Sequence, residues 1–472
     1  MAVAAPSWSA LLHGARLAYT TILTLGIGLH VVDAFMVAAL MPSVVADIGG
    51  AAFYTWAAML YTVHATLGIA CGGYLAATYG VRRAAIAGLL VLGLGNAAAA
   101  TALTMPLFLV ARVVQGLGGG VVVAQAYGMV SAFYPATLRP RVLTAISIAH
   151  GSAALIGPIV GGAFAKFGWW RGAFWTGLPI LVVLGTLVWQ WLPRHDGTAE
   201  TRPLPLGRLV LLAAAVLSVA VSGQLRSAPL RFLAAGAAVI LVKLTFALDA
   251  RAPAHLFPAR PLSVAHSVGI GLWIVLLFNL TTGHIGIFMP LVVQQLHGVS
   301  PVFAGYFQAI LALAWTSCAI VSAGFEGDTV RHAIVAGPLL IMSGVIGQAL
   351  LVVHGSLPLL ALAVAMTGAG MGLCFAHISS WTMASARPDE ASVTASAIPT
   401  MQSLGRGFGA ATAGLVANAA GIGAGLSRET VAWAATWVYG VAVLAPVVIV
   451  ALAFVLLSVH RAVRSHEVTQ SE

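Results

Sequence analysis

"RVVQGLGGG" (112–120) decides the fold of this chain, because its glycine run, set among apolar residues, returns in the second half as "GAGMG" (368–372). A second glycine-rich stretch, "GPIVGGAFA" (157–165), is answered in the same order by "GRGFGAATAG" (405–414). Small residues pack helices in any membrane bundle, so either echo alone says little. Their matching order points to two copies of one helical unit.

Composition places those helices in a membrane. Of 472 residues, 60% are hydrophobic and only 7% charged, whereas soluble domains carry about 25% charged residues. A span needs about 20 apolar residues. Breaking the chain at Pro, Gly and charged clusters gives fourteen such segments: 17–42, 54–77, 84–104, 107–134, 142–166, 172–193, 208–224, 230–250, 266–295, 301–323, 331–353, 357–383, 393–419 and 432–458. The weakest are 208–224, which is short, and 230–250, which carries Lys243. Counting both leaves six spans on either side of them, the trace of a duplicated transporter. The expected organisation is an all-α polytopic membrane protein with an N-terminal six-helix bundle (1–194), two additional transmembrane helices with their linkers (195–265) and a C-terminal six-helix bundle (266–472).

Charge then gives orientation. With the N-terminus inside, fourteen Lys/Arg fall in inner segments, five in outer ones and three within spans. This asymmetry predicts cytoplasmic N- and C-termini in a bacterial cytoplasmic membrane. The excess of 22 Lys/Arg over 12 acids is therefore a topology signal, and nucleic-acid binding is excluded. The first apolar run exceeds a signal-peptide core and lacks a clear cleavage site, so it reads as the first span. Cys71, Cys318 and Cys374 read as small buried hydrophobes,. No metal-ligand spacing and no phosphate-binding lysine loop occurs, so no metal, cofactor or enzymatic chemistry is expected.

"LHVVDAFMVAALMP" (29–42) raises the functional question, since Asp33 is the one acid deep within a span. Intramembrane carboxylates are costly unless paired or protonated, and most face cavities or proton pathways. At 1.5 Å per residue, Asp33 lies about 12 Å below the outer end of its span and Arg112 about 8 Å below the outer end of the fourth. Pairing at that depth would make a coupling device: deprotonated Asp33 held by Arg112, protonated Asp33 released. A static brace for the bundle is the alternative. His30 lies one turn earlier on the same face, where it would relay protons or simply pack. The other polar candidates for a substrate cavity are His64, Gln115, Gln125, His150, Asn279, His284, His377 and Arg406. Each histidine is equally well explained by packing.

Four stretches carry a family likeness: "VDAFMVAALMP" (32–42), "GYLAATYGVRR" (73–83), "RVVQGLGGG" (112–120) and "GSAALIGPIVGG" (151–162). With "MPLVVQQLHGVSPVFAG" (289–305), they resemble the signatures of the major facilitator superfamily and, within it, the fourteen-span drug:proton antiporter family. The resemblance implies a major facilitator fold, a gating motif at Gly73, Gly80, Arg82 and Arg83, and an antiporter motif at Gly157, Pro158, Gly161 and Gly162 acting as a hinge that seals the cavity in one state. Positive-inside placement would also explain the two arginines, and tight packing the glycines. Where the family pattern has an aspartate this chain has Ala77, while the second-half copy "GFEGDTVRH" (324–332) keeps Asp328 with Arg331 nearby. Gating charge is expected to have moved there, and a solvated loop acid is the equal alternative.

The expected function is proton-coupled efflux of lipophilic organic compounds by alternating access. The partners are a small lipophilic substrate, protons and membrane lipid, and a monomer is the expected state. With no second intramembrane carboxylate and with Arg406 lining the path, neutral, zwitterionic or singly charged compounds should be favoured over dications. Competing readings are an uptake symporter and a non-transporting sensor or scaffold.

Overall fold

The computed structural model describes residues 8–135, 138–194, 205–225, 227–252, 255–387 and 390–471. Residues 195–204, where the sequence places the first domain boundary, lie outside them. Among the described residues the regular structure is helical: α1 (Ala15–Ile48), α2 (Trp56–Tyr79), α3 (Val81–Ala100), α4 (Met105–Phe133), α5 (Arg139–Lys166), α6 (Trp170–Trp175), α7 (Gly177–Trp191), α8 (Leu206–Ser222), α9 (Ala228–Asp249), α10 (Ser267–Gln295), α11 (Pro301–Ser322), α12 (Asp328–Leu351), α13 (Leu357–Ala384), α14 (Ala391–Ala419), α15 (Arg428–Ala442) and α16 (Leu444–Ser471).

These helices correspond one for one to the fourteen expected spans, with the sixth and fourteenth each in two pieces, α6–α7 and α15–α16. Eleven segments among the described residues are long and apolar enough to cross a membrane, and α8 is shorter. One boundary moves substantially. The first span was expected to end at Pro42, but α1 continues to Ile48 with that proline inside it. Proline removes one backbone hydrogen bond, and membrane helices tolerate this where neighbours re-satisfy the freed carbonyl. The final turn of α1 is tied down by Asp47, whose carboxylate accepts from Arg171 Nη1 (2.5 Å) and Trp170 Nε1 (3.1 Å).

The chain divides into two compact units, residues 1–50, 60–206 and 300–306 in the first and 51–59, 207–299 and 307–472 in the second. In the first, α1 packs along α5 and α3 along α4; in the second, α10 packs along α14 and α12 along α13. The glycine echoes explain why the two units pair their helices alike. A Cβ on Gly116 or Gly120 would strike the carbonyls of Tyr61 and Ala65 on α2, and one on Gly118 the α3 backbone at Leu92. In the second unit Gly368 and Gly372 meet the carbonyls of Leu311 and Trp315 on α11, and Gly370 meets Gly337 on α12. Likewise Gly161 lies against the Met36 carbonyl on α1, and Gly405 and Gly409 against those of Leu276 and Leu280 on α10. In lipid, where hydrophobicity does not drive helices together, such close backbone contact is a main source of packing energy.

α8 and α9 belong to the second unit and close with a buried ion pair between Arg208 and Asp249. The Asp249 carboxylate also accepts from the backbone N–H groups of Leu256 (2.8 Å) and Phe257 (2.9 Å). This acid is the last residue of α9 and is nonetheless buried.

Candidate functional site

Two buried charges of the first unit, Asp33 on α1 and Arg112 on α4, meet. Arg112 Nη1 donates to Asp33 Oδ2 and to Gln115 Oε1, both at 2.7 Å. Gln115 Nε2 donates onward to Asn96 Oδ1 on α3 at 2.5 Å. The Arg112 guanidinium lies over the Tyr61 ring, 4.2 Å from its centroid, and the Tyr61 hydroxyl is 2.8 Å from His30 Nδ1. Desolvating two opposite charges costs several kcal/mol per ion, and attraction offsets this only where other partners complete their bonding. Here a side-chain amide and an aromatic face supply that completion for Arg112, which is 1% exposed.

Asp33 is less enclosed than its partner, keeping 11% of its side chain accessible against 1% for Arg112. It lines a cavity of about 390 Å³ between α1, α3, α5 and the α6–α7 span. Asn96 lines the same cavity, so the polar chain from Asp33 through Arg112 and Gln115 to Asn96 begins and ends on it. The remaining wall is apolar apart from Thr24, Ser152 and Thr176, and Arg112 is not part of it. A molecule entering would meet hydrocarbon, one carboxylate, one amide and three hydroxyls.

The other residues singled out from sequence fall into separate groups. Gln125 Nε2 donates to the Gly72 carbonyl at 2.8 Å, joining α4 to α2. His64 and His150 each bond through Nδ1 to a carbonyl four residues earlier in their own helix, Leu60 (2.8 Å) and Ile146 (3.0 Å). In the second unit Arg406 Nη1 donates to Asn279 Oδ1 at 3.1 Å. His377 Nε2 lies 3.0 Å from the Ser322 carbonyl. His284 is buried edge-on against Tyr439, and its Nε2 has no partner among the described residues. None of these joins the Asp33 cluster except Gln115 and His30.

In the gating motif, Gly80 precedes α3 with a φ of 85°, and Gly327 likewise precedes α12 with a φ of 56°. Gly73 lies inside α2, which runs on to Tyr79. Arg82 is buried with its guanidinium 4.2 Å from the centre of the Trp189 ring, whereas Arg83 is exposed. Arg331 Nη1 donates to Asp328 Oδ1 at 2.8 Å, an exposed pair worth about 0–1 kcal/mol. In the glycine motif of α5, Gly157 faces Phe35 and Val32 on α1. Gly162 and Pro158 pack on Val302 and Gly305, which belong to the same unit.

Sequence reasoning missed Tyr61 and Asn96. Asn96, in "GNAAAA" (95–100), was a polar residue inside an apolar run and so could have been found. Tyr61 has no such signal, because a tyrosine in a span reads as packing or an interfacial anchor.

Two similar units of membrane-length helices, with a charge pair buried between α1 and α4 of the first, have the architecture of a membrane transporter, and the family match makes it a transporter and not an enzyme. The profile of the Major Facilitator Superfamily matches residues 23–410, and the chain belongs to that family as an integral membrane protein. It is 30% identical to a "Probable multidrug-efflux transporter" of Mycobacterium tuberculosis (strain H37Rv) over 438 residues, 88% of this chain and 90% of that one. It is 23% identical to the "Multidrug transporter protein MdtP" of Bacillus subtilis, over 82% and 72% of the two chains. Among solved structures, the POT family transporter PepTSo superposes with a TM-score of 0.67 at 15% identity, covering 96% of this chain and 99% of that one. That likeness concerns the fold.

Proposed function

We propose that this chain is a proton-coupled exporter of lipophilic organic compounds, with Asp33 as the proton-carrying group, Arg112 as its counter-ion and both termini in the cytoplasm. The observation that carries the reading is the buried Arg112–Asp33 pair at 2.7 Å, open to an apolar cavity on the carboxylate side only. Protonation of Asp33 cancels the attraction and frees the pair; deprotonation restores it. His30 reaches the cluster through Tyr61 and belongs to the same proton pathway. The second unit offers no comparable pair among its described residues near the corresponding glycines: where Gly95 meets Gln115, Gly344 meets Thr367, which bonds only to neutral Gln348 and the Ala363 carbonyl. Titration is therefore assigned to one unit. Efflux relatives at 30% identity support the export direction and the substrate class. Asp328 with Arg331 is assigned to the cytoplasmic gate, and the α5 glycine motif to the seal that closes the cavity.

The test is resistance of an expressing strain to a panel of toxic lipophilic compounds, with Asp33→Asn as the control; equal resistance in the two strains contradicts the reading. Arg112 gives a second, graded test. Arg112→Ala removes the cation that favours the charged carboxylate, so the pH profile of transport moves to higher pH, and Arg112→Lys, which keeps a cation, moves it less. Profiles unchanged in both variants would show that the pair does not set the proton step.

A further inference from the structure

The second unit holds a cavity of about 500 Å³ that plays no part in the proton site. It lies where the loop before α10 meets the α13–α14 turn and Val459 of α16, and its wall includes Arg260, His266, Trp381, Arg387 and Glu390. The Arg387 guanidinium has no hydrogen bond or ion pair among the described residues, and that of Arg260 has only a 3.4 Å contact from Nη1 to His266 Nε2. The one described acid in the wall, Glu390, makes no ion pair with either arginine; its Oε1 accepts from the backbone N–H of Ala259, in the same wall, at 3.1 Å. Asp389 lies outside the described residues. Ser267 and Val268, the first residues of the 29-residue α10, form part of the same wall, which adds the positive end of a long helix dipole. Beside these sit Val268, Trp381, Ala384 and Val459, an apolar side to a cationic pocket.

We infer that this cavity binds the headgroup of an anionic phospholipid of the cytoplasmic leaflet, with the phosphodiester between Arg260 and Arg387 and an acyl chain leaving along Trp381 and Val459. Three features select this occupant. Guanidinium groups without a carboxylate partner match a phosphate oxygen pair in geometry and charge. The apolar side of the pocket would be idle with a free phosphate. Both arginines fall on the side that the basic excess assigns to the cytoplasm, where anionic lipids are concentrated. A bound lipid would join the α9–α10 loop to the α13–α14 turn and so brace the end of the second unit.

The experiment uses the full chain, purified and delipidated in a neutral detergent, titrated with phosphatidylglycerol, phosphatidylcholine or inorganic phosphate. Bound lipid is counted by native mass spectrometry, and the midpoint of thermal unfolding is followed alongside. Phosphatidylglycerol is expected to be retained and to raise the midpoint, while phosphatidylcholine and inorganic phosphate do neither. The double variant Arg260→Gln/Arg387→Gln should lose apparent affinity by about 25-fold, about fivefold per arginine. Glu390→Gln keeps an oxygen for Ala259 but removes the competing charge, and should bind phosphatidylglycerol more tightly than wild type. Protection by inorganic phosphate equal to that by phosphatidylglycerol would identify a soluble-anion site and overturn the lipid assignment. Retention of phosphatidylcholine to the same extent, an unchanged affinity in the double variant, or no gain in Glu390→Gln would overturn it as well.

Discussion

Asp33→Asn protein inserts in the membrane yet no longer moves substrate against its gradient when a pH difference is imposed. Asparagine keeps the shape and one acceptor oxygen for Arg112, but it cannot titrate, so the coupled rate falls to background. The substitution also leaves Arg112 buried without an anion, and breaking such a pair costs about 3–5 kcal/mol. Gln115 and the Tyr61 ring, both still in place, hold that cost to the low end. A second variant separates lost coupling from lost stability. In Asp33→Asn/Arg112→Gln no charge remains buried, so thermal stability returns toward wild type. Transport does not return. Recovery of pH-driven export in the double variant would place the proton on another group.

The second large effect is structural and falls on the glycine run of α4. Gly120→Leu drives a side chain into the Ala65 carbonyl and the Ile69 amide of α2. These are backbone atoms and cannot turn aside as a flexible side chain would. Overpacking costs about 1–3 kcal/mol where side chains can adjust, so the upper end applies, roughly a hundredfold in the folded population. The expected result is loss of monodisperse protein on extraction. Gly128→Ala, eight residues further along α4, has nothing within 4 Å of the new methyl. It should extract as well as wild type or better, since glycine in a helix interior is about 0.5–1 kcal/mol worse than alanine. Equal behaviour of the two variants would mean that the α2–α4 contact does not hold the unit together.

How much of this was visible beforehand depends on the kind of signal. Long apolar runs announce helices in a membrane protein because every backbone polar group must be satisfied within its own segment. All fourteen spans were legible for that reason, including short 206–222 and the Lys243 segment. Their ends were less so. Pro42 looked like a terminus but lies within α1, whereas Pro179 and Pro446, which leave the carbonyls of Trp175 and Ala442 without their helical donors, mark the interruptions at Thr176 and Val443 that the span reading passed over,. The duplication was legible because the constraint is local: a glycine that must touch a neighbouring carbonyl has no substitute, and it recurs wherever the contact recurs. The Asp33–Arg112 pair was legible from depth, since each is a charge in hydrocarbon that needs a partner. Its surroundings were not. Tyr61 joins the cluster through its ring face, a role that leaves no mark on composition, and Asn96 joins through a neutral amide on α3, two helices along the chain from α1. Asp249 adds a further lesson, because an acid at a helix end became buried by capping two backbone N–H groups and meeting Arg208.

The most direct test of the central claim is the sign of proton movement. Purified protein is reconstituted in vesicles holding a pH-sensitive dye, with no pH gradient imposed, and a lipophilic substrate that the resistance screen has identified is added outside. Substrate moving inward down its gradient should drive protons outward, so the lumen becomes alkaline, and the signal should vanish in Asp33→Asn. An acidified lumen would establish symport, and substrate entry with no proton movement would establish uncoupled transport; either result contradicts the account.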